Sequence, residues 1–383
     1  MPRLIRVLHA INWFRRGGVE TQLLRMLREY DRSRFHMDVC VYGDDPGYLA
    51  GEARSAGAEI LRCRKSVNLF DFSARFRRVI SGRDYDVVHA HADAWSGPLL
   101  RAASQSGVKV RIAHLRLAQA WPTSGKRDIA GAAARAAVLA WGRRWLERYA
   151  THVLSVSEVA MDLRWSDWRN YPDRFMVWTG GVNTARFTPS TDTELQDIPI
   201  VVTVGSLTTR KRHDILLRMF ARVLRSGPEA RLVLIGEGPT EAACRDLAEQ
   251  LGISRSVDFM GLQDRDSVAA LLKRAWIFVT CSESEGLPNC LLEAQAAGVA
   301  VVASNIPEHR EALAPEFEAW LFPLHAPEQG AENIVKLLHD RTHARELGRL
   351  GRAFVEDRFS SQRQLRLLEN HYLRCVNSRE DCR

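Results

Sequence analysis

The sequence has no CxxC pair, and its seven cysteines are odd in number and scattered from Cys40 to Cys382. Such spacing offers neither a zinc knuckle nor a disulfide framework, and it fits a reducing compartment. The opening MPRLIRVLHAINWF lacks an apolar h-region, so no secretory signal is expected. The longest weakly charged apolar run, Ile129–Trp141, has only 13 residues and contains Arg135. A bilayer needs about 20 apolar residues, so no spanning helix is expected. Internal repeats and low-complexity stretches are missing as well. GEGP at Gly236–Pro239 is not a G-x-G-x-x-G fingerprint, which argues against a dinucleotide oxidoreductase. No basic motif interleaved with aromatics is present, so nucleic acid is not an expected partner.

What is there is an ordinary globular balance, 46% hydrophobic and 26% charged. A chain of 383 residues exceeds what one core supports, and two domains are expected. The net charge of +8 is unevenly spread: residues 1–190 carry 30 Lys and Arg against 18 Asp and Glu, residues 191–383 carry 24 against 28. The basic half favours an anionic surface, such as acidic lipid headgroups or a lipid diphosphate. The helical stretch Ile129–Ala150, with Arg135, Arg143, Arg144, Arg148, Trp141 and Trp145, reads either as a membrane-surface helix or as a core helix with a solvated arginine face. The expected location is cytoplasmic, with this helix as the candidate for peripheral contact with the inner face of the membrane.

Short apolar runs alternate with helical patterns. Leu4–Ala10, His36–Tyr42, Glu59–Cys63, Asp86–Ala90, Lys109–His114 and His152–Val156 read as strands of one parallel sheet. The polar stretch TPSTDTELQDIP, residues 188–199, reads as a linker. The rhythm then restarts with Ile200–Val204, Arg231–Ile235, Ser256–Met260, Trp276–Cys281 and Ala300–Ala303. The expected class is α/β, two doubly wound Rossmann-like domains facing each other across a cleft, with a ligand at the carboxyl ends of the strands. The boundaries are 1–187 for the N-terminal domain, 188–199 for the linker and 200–360 for the C-terminal domain. A last helix, about 361–376, is expected to pack back on the first domain.

One segment raises a chemical question. SESEGLPNCLLEAQAAG, Ser282–Gly298, sets Glu285 and Glu293 eight positions apart, on either side of a Leu-Pro-Asn turn. Pro288 suits the first helical position and Gly298 the terminating left-handed one. Glu285 then stands before the helix mouth and Glu293 inside it, while the amides of Leu287, Asn289 and Cys290 offer an anion site between them. A nucleotide sugar has that layout: ribose hydroxyls, diphosphate, hexose hydroxyls. Arg210-Lys211-Arg212, after the small-residue loop GSLTT, brings cations to the same end of the sheet; Lys211 reads as functional and Arg212 as an exposed turn. Gly17-Gly18 opens a helix expected from Val19, and Glu20 fits its first turn. His91 is expected to point from a strand end into the cleft, His89 to be buried, and His114 and Arg116 to line the acceptor side. Asp264-Arg265-Asp266 imitates a metal-binding DxD, but Asp266 suits a helix N-cap, and no metal is expected.

EGLPNCLLEAQAAGVAVVAS resembles the E-x7-E segment of the retaining glycosyltransferases of family four, which have the GT-B fold. VTVGSLTTRKRHDILLRMFA, LVLIGEGPTEAACRDLAEQLGISRSVDFMG, FRRGGVETQLLRML, DVVHAH and WTGGVNTARFTP resemble that family's other segments in the right order. The resemblance implies that Glu293 holds ribose hydroxyls, that Glu285 and His91 lie by the donor sugar, and that Lys211 and the Leu287, Pro288, Asn289 and Cys290 turn meet the diphosphate. It implies Gly17 and Gly18 on the donor as well. Where the family carries Arg, this chain has Ser206, with Arg210 as the available substitute.

The expected function is transfer of a hexosyl unit, with retention, from a UDP- or GDP-sugar to an acceptor hydroxyl, on a lipid-linked or other saccharide acceptor, without a cofactor. The alternatives are a nucleotide-sugar 2-epimerase on the same fold and a non-catalytic nucleotide-sugar binder.

Overall fold

The computed structural model describes residues 3–15, 17–116, 129–190 and 198–378, without the side chains of 129–135. Residues 191–197 of the expected linker, Arg135 as a side chain and Cys382 lie outside the described residues. The chain divides into two compact units, Met1–Gly180 with Gln364–Arg383, and Gly181–Arg363.

The first unit is built on seven parallel strands: β1 (Ile5–Ile11), β2 (Phe35–Val41), β3 (Ile60–Arg62), β4 (Val87–Ala90), β5 (Val110–Leu115), β6 (His152–Ser155) and β7 (Phe175–Val177). Their order is β3-β2-β1-β4-β5-β6-β7, the doubly wound pattern with its reversal between β1 and β4. Alternation along the strands sends side chains to two cores. Val7, Ile11, Val87, Ile112 and Leu154 pack into one with Leu23 and Leu27 of the helix Gly18–Glu29. Leu8, Ala10, Val88, Ala90 and Ala113 pack into the other with Phe72, Phe76, Leu99 and Leu146. The first core also takes Leu368, Tyr372 and Cys375 from the last helix, Ser361–Asn377.

The second unit has six parallel strands: β8 (Ile200–Val204), β9 (Arg231–Ile235), β10 (Val257–Phe259), β11 (Ile277–Thr280), β12 (Ala300–Ser304) and β13 (Leu321–Phe322), ordered β10-β9-β8-β11-β12-β13. Their near-continuous apolar runs fit a sheet covered on both faces. Val182 and Phe187 belong to this unit's core, which draws the boundary to Gly180/Gly181, ahead of the position read from sequence. β7 and β13, three and two residues long, escaped the sequence reading because no period is visible in so few positions.

Candidate active site

In the second unit, β11 ends at Thr280 and a loop leads to the helix Asn289–Ala296. Pro288 is the N-cap, not the first helical residue as expected; its ψ of 81° lies outside the helical well. Gly298, at φ +70°, takes the left-handed position after the helix, as the sequence implied. The amide set needs a correction. The Asn289 N–H donates to the Leu287 carbonyl at 2.9 Å and is not free, whereas the Leu287 and Cys290 amides have no protein partner among the described residues.

Each of the two acids is held by a cation. Glu285 is buried, and its Oε1 accepts from Lys211 Nζ at 2.5 Å and from Ser282 Oγ at 2.7 Å. Its Oε2 accepts from Arg210 at 3.2 Å, and Arg210 also donates to the Ser284 carbonyl at 2.5 Å. Burial alone would push the Glu285 carboxyl up; the Lys211 charge and hydrogen bond outweigh it and hold the group below the usual carboxylate range. Burial likewise works against the Lys211 ammonium, and the neighbouring Cys290 and Glu285 outweigh that, so its pKa is raised. Lys211 ends a short 3-10 turn, Thr209–Lys211, and lies over Gly205, where a Cβ would stand 3.5 Å from Nζ. Glu293, 2% exposed, accepts from Arg265, whose guanidinium stacks 5.2 Å from the Phe187 ring.

Ser206 is exposed in the loop after β8, and its carbonyl accepts from the Thr208 amide. Arg212 is committed to Asp214 at 2.9 Å and Glu283 at 2.8 Å, in a left-handed conformation at φ 48°. Asp264, not Asp266, caps the helix Arg265–Arg274: its carboxylate accepts from the Ser267 amide at 2.7 Å. Asp266 is outside that geometry and pairs with Arg186 at 3.0 Å.

In the first unit the strand register assembles a histidine cluster. His9 in β1 is paired with His89 in β4, and His89 with Ile112 in β5. Counting by twos puts His91, His114 and Arg116 on the same face of the sheet. His89 stacks on His91 at 4.2 Å and on His114 at 5.1 Å between ring centroids. Arg116 donates to His91 Nδ1 at 2.7 Å and to Gln22 Oε1 at 2.8 Å. An arginine can only donate, so the His91 proton sits on Nε2 and is given to His9 Nδ1, 3.0 Å away. His9 then carries its own proton on Nε2, which has no partner among the described residues. Donor atoms of His9, His89 and His91 lie within 4.8 Å of one another. A cation there would need the His91 Nε2 lone pair, which this tautomer withdraws. Burial, then the surrounding positive charges, push the pKa values of His91 and His89 well below the ordinary range, and that of His9 to about 3.

His114 is fully buried, bonded through Nδ1 to His89 at 3.1 Å, and so does not line an acceptor surface in this structure as expected. It lies within β5, one residue before the strand's end, and is covered on that face by its histidine and Trp178 neighbours. Burial lowers the pKa of Arg116 to about 10 against the pull of Glu20 and Asp93. Burial in turn raises that of Glu20. Gly17 is the extended N-cap of the helix Gly18–Glu29, which starts one residue before Val19, and no side chain caps it. A cavity of about 1220 Å³ lined by Arg3, Arg6, Arg77, Arg78 and Lys109 lies at the amino ends of β1, β4 and β5. It is remote from the histidines.

Two family models match the chain in tandem. Residues 17–177 match the glycosyl transferase 4-like domain, and residues 190–354 match glycosyl transferases group 1. The chain belongs to the group 1 glycosyltransferases. Among its relatives, glycosyltransferase EpsF of Bacillus subtilis is 28% identical over 313 residues, covering 78% of this chain and 79% of its own. The capsular polysaccharide biosynthesis glycosyltransferase CapH of Staphylococcus aureus is 24% identical over 344 residues, 89% of this chain and 92% of its own. In fold the chain is similar to HepE of Anabaena, solved in complex with UDP, with a TM-score of 0.79 at 15% identity, over 96% of this chain and 99% of that one. Sucrose-phosphate synthase from Thermosynechococcus elongatus follows at 0.76 and 19% identity, over 98% and 100%. The architecture is GT-B, and the protein is a transferase. No helix among the described residues is long and apolar enough to cross a membrane.

Within this glycosyltransferase the sequence reading missed Arg265, Ser282, His9, Gln22 and Tyr372. The alternation His89/His91 and His114/Arg116 was a signal for His9, since a third histidine on a central strand could share that face. Tyr372, whose hydroxyl stands 2.6 Å from His89 Nδ1, comes from 283 residues away, and nothing local marks it.

Proposed function

We propose that this glycosyltransferase moves a hexosyl unit, with retention, from a nucleoside diphosphate sugar to an acceptor hydroxyl. The acceptor is a lipid-linked glycan intermediate of surface polysaccharide synthesis, made at the inner face of the membrane. The observation that carries the donor site is the Lys211–Glu285 pair beside a helix mouth with two unpaired amides, Leu287 and Cys290. Lys211 is nearly buried and keeps its charge, and two of its three donors remain for a diphosphate. The helix N-terminus adds partial positive charge at the same place.

As the glycosidic bond breaks, negative charge grows on the leaving diphosphate, and these fixed donors stabilise it more than the ground state. The leaving diphosphate takes the acceptor proton on the same face, so no carboxylate nucleophile and no metal enter the step. Glu293, oriented by Arg265, holds the ribose hydroxyls. Glu285 lies by the sugar, and Ser206 and Arg210 complete the donor contacts made by the second unit. The complex of HepE with UDP, and the naming of CapH for capsule synthesis, support the donor class and the polymer class respectively.

A thermal-shift panel of UDP, GDP and their sugars tests this. A ligand at 100 times its dissociation constant adds about 2.7 kcal/mol of stability. Lys211→Ala and Glu293→Gln should each abolish the shift, and a shift that survives in both would place the donor elsewhere. Activity should persist in chelator.

A further inference from the structure

The geometry points to a bilayer-docking face on the first unit, built on the helices Leu69–Ile80 and Ile129–Tyr149, with an anionic lipid surface as its partner. It deepens the membrane part of the proposed function and owes nothing to the donor chemistry. Trp141 is 55% exposed, Phe70 58% and Val67 80%. The Phe70 ring stands edge-on to Trp145 at 4.9 Å, and Trp145 is one turn beyond Trp141 on the same helix. Arg101 lays its guanidinium over both Phe70, at 5.3 Å, and Trp145, at 5.0 Å. The exposed apolar groups therefore form one patch with a cation set into it. Trp145, on a helix that the sequence leaves as either a membrane-surface or a core helix, is buried and serves as the floor of that patch.

Cations frame it. Arg143, Arg144 and Arg148 are exposed, and Glu147 is the single acid between 136 and 149. Arg144 and Arg148 follow Trp141 at three and seven residues, on the same helical stripe, and neither has an ion pair among the described residues. A stripe of an aromatic followed by unpaired arginines suits the interface of a bilayer, where the ring enters the acyl boundary and the guanidiniums meet phosphates. A second copy of the chain is the weaker occupant: self-pairing would bring these arginines against one another.

The full chain is sedimented with vesicles of phosphatidylcholine alone and of equal parts phosphatidylcholine and phosphatidylglycerol, at low and high salt. Binding is expected on the anionic vesicles and should weaken with salt. Arg144→Gln with Arg148→Gln should weaken it roughly 25-fold, about fivefold for each charge. Trp141→Ser with Phe70→Ser should weaken it at least about tenfold. All variants should keep the parent's melting curve and nucleotide shift. The proposal falls if the parent ignores anionic vesicles, binds neutral ones equally, or loses nothing on substitution. It falls too if the substitutions dissolve a dimer seen by light scattering, which would make a second copy the occupant. A chain that binds vesicles but shows no nucleotide shift would sink the donor reading and leave this one standing.

Discussion

Lys211 and Glu285 are 12% and 8% exposed as side chains, so neither charge is free to shed its partner cheaply. Removing one member of such a pair strands the other, which typically costs about 3–5 kcal/mol. Lys211→Met should therefore destabilise the second unit by about 3 kcal/mol, and adding Glu285→Gln should recover at least about 1 kcal/mol of it. Urea unfolding of the four forms measures this; a double-variant loss equal to the sum of the two single losses would mean that the pair is not coupled. The sequence displayed both residues as members of separate motifs. Their pairing across 74 positions was not legible, because only the packing of β8 against β11 brings the two loops together.

Buried histidines give a second test at this scale. His213 and His309 of the second unit are pushed down to about 4, in both cases chiefly by burial. Unfolded, each titrates near 6.5. Between those values the unfolded chain binds the proton and the folded one does not, so stability falls as the pH drops from about 6.5 toward 4. Each histidine contributes up to about 1.4 kcal/mol per pH unit across that window. His309→Gln should flatten the pH dependence of the urea midpoint by that amount whatever its effect at pH 7. An unchanged slope would mean that His309 is protonated in the fold.

Among the elements, the helix Arg265–Arg274 links a cap to the site. Its N-cap is Asp264, because only that carboxylate reaches the Ser267 amide. The sequence pattern D-R-D offers two acids for one cap, and the chain uses the first rather than the expected Asp266. Spacing alone does not say where the chain turns helical. Asp264→Ala should cost about 1 kcal/mol. It should also weaken nucleotide binding several-fold, since Arg265 at the first helical position is what holds Glu293. Asp266→Ala breaks only an exposed pair with Arg186 and should change neither stability nor binding by more than about 0.5 kcal/mol. Calorimetry on both variants decides; the opposite ranking would return the cap to Asp266. The long strands and the helix ending at Gly298 were readable because apolar runs and a glycine stop are local signals, whereas caps depend on a two-residue choice.

At the scale of the whole molecule, the last helix sets which unit depends on the chain's end. Leu368, Tyr372 and Cys375 are 0%, 0% and 4% exposed and lie in the first unit's core. The Tyr372 hydroxyl completes His89, and Gln364 provides the carbonyl that accepts from the Trp178 indole at 2.7 Å. Three such side chains contribute roughly 5 kcal/mol of burial, a large part of what a domain holds in reserve. Among the described residues, the second unit's core contains none beyond Phe359. A chain ending at Arg363 should therefore lose the cooperative unfolding of the first unit and expose its apolar surface to a dye such as ANS. The second unit should still unfold in one transition, and UDP or GDP should still raise that transition as in the full chain. Tyr372→Phe in the full-length protein isolates the polar part: it removes the partner of His89 Nδ1 without a cavity and should cost about 1–3 kcal/mol, felt in the first unit's transition alone. Should the truncated chain melt as one species with both transitions intact, the last helix would not be a structural member of the first unit.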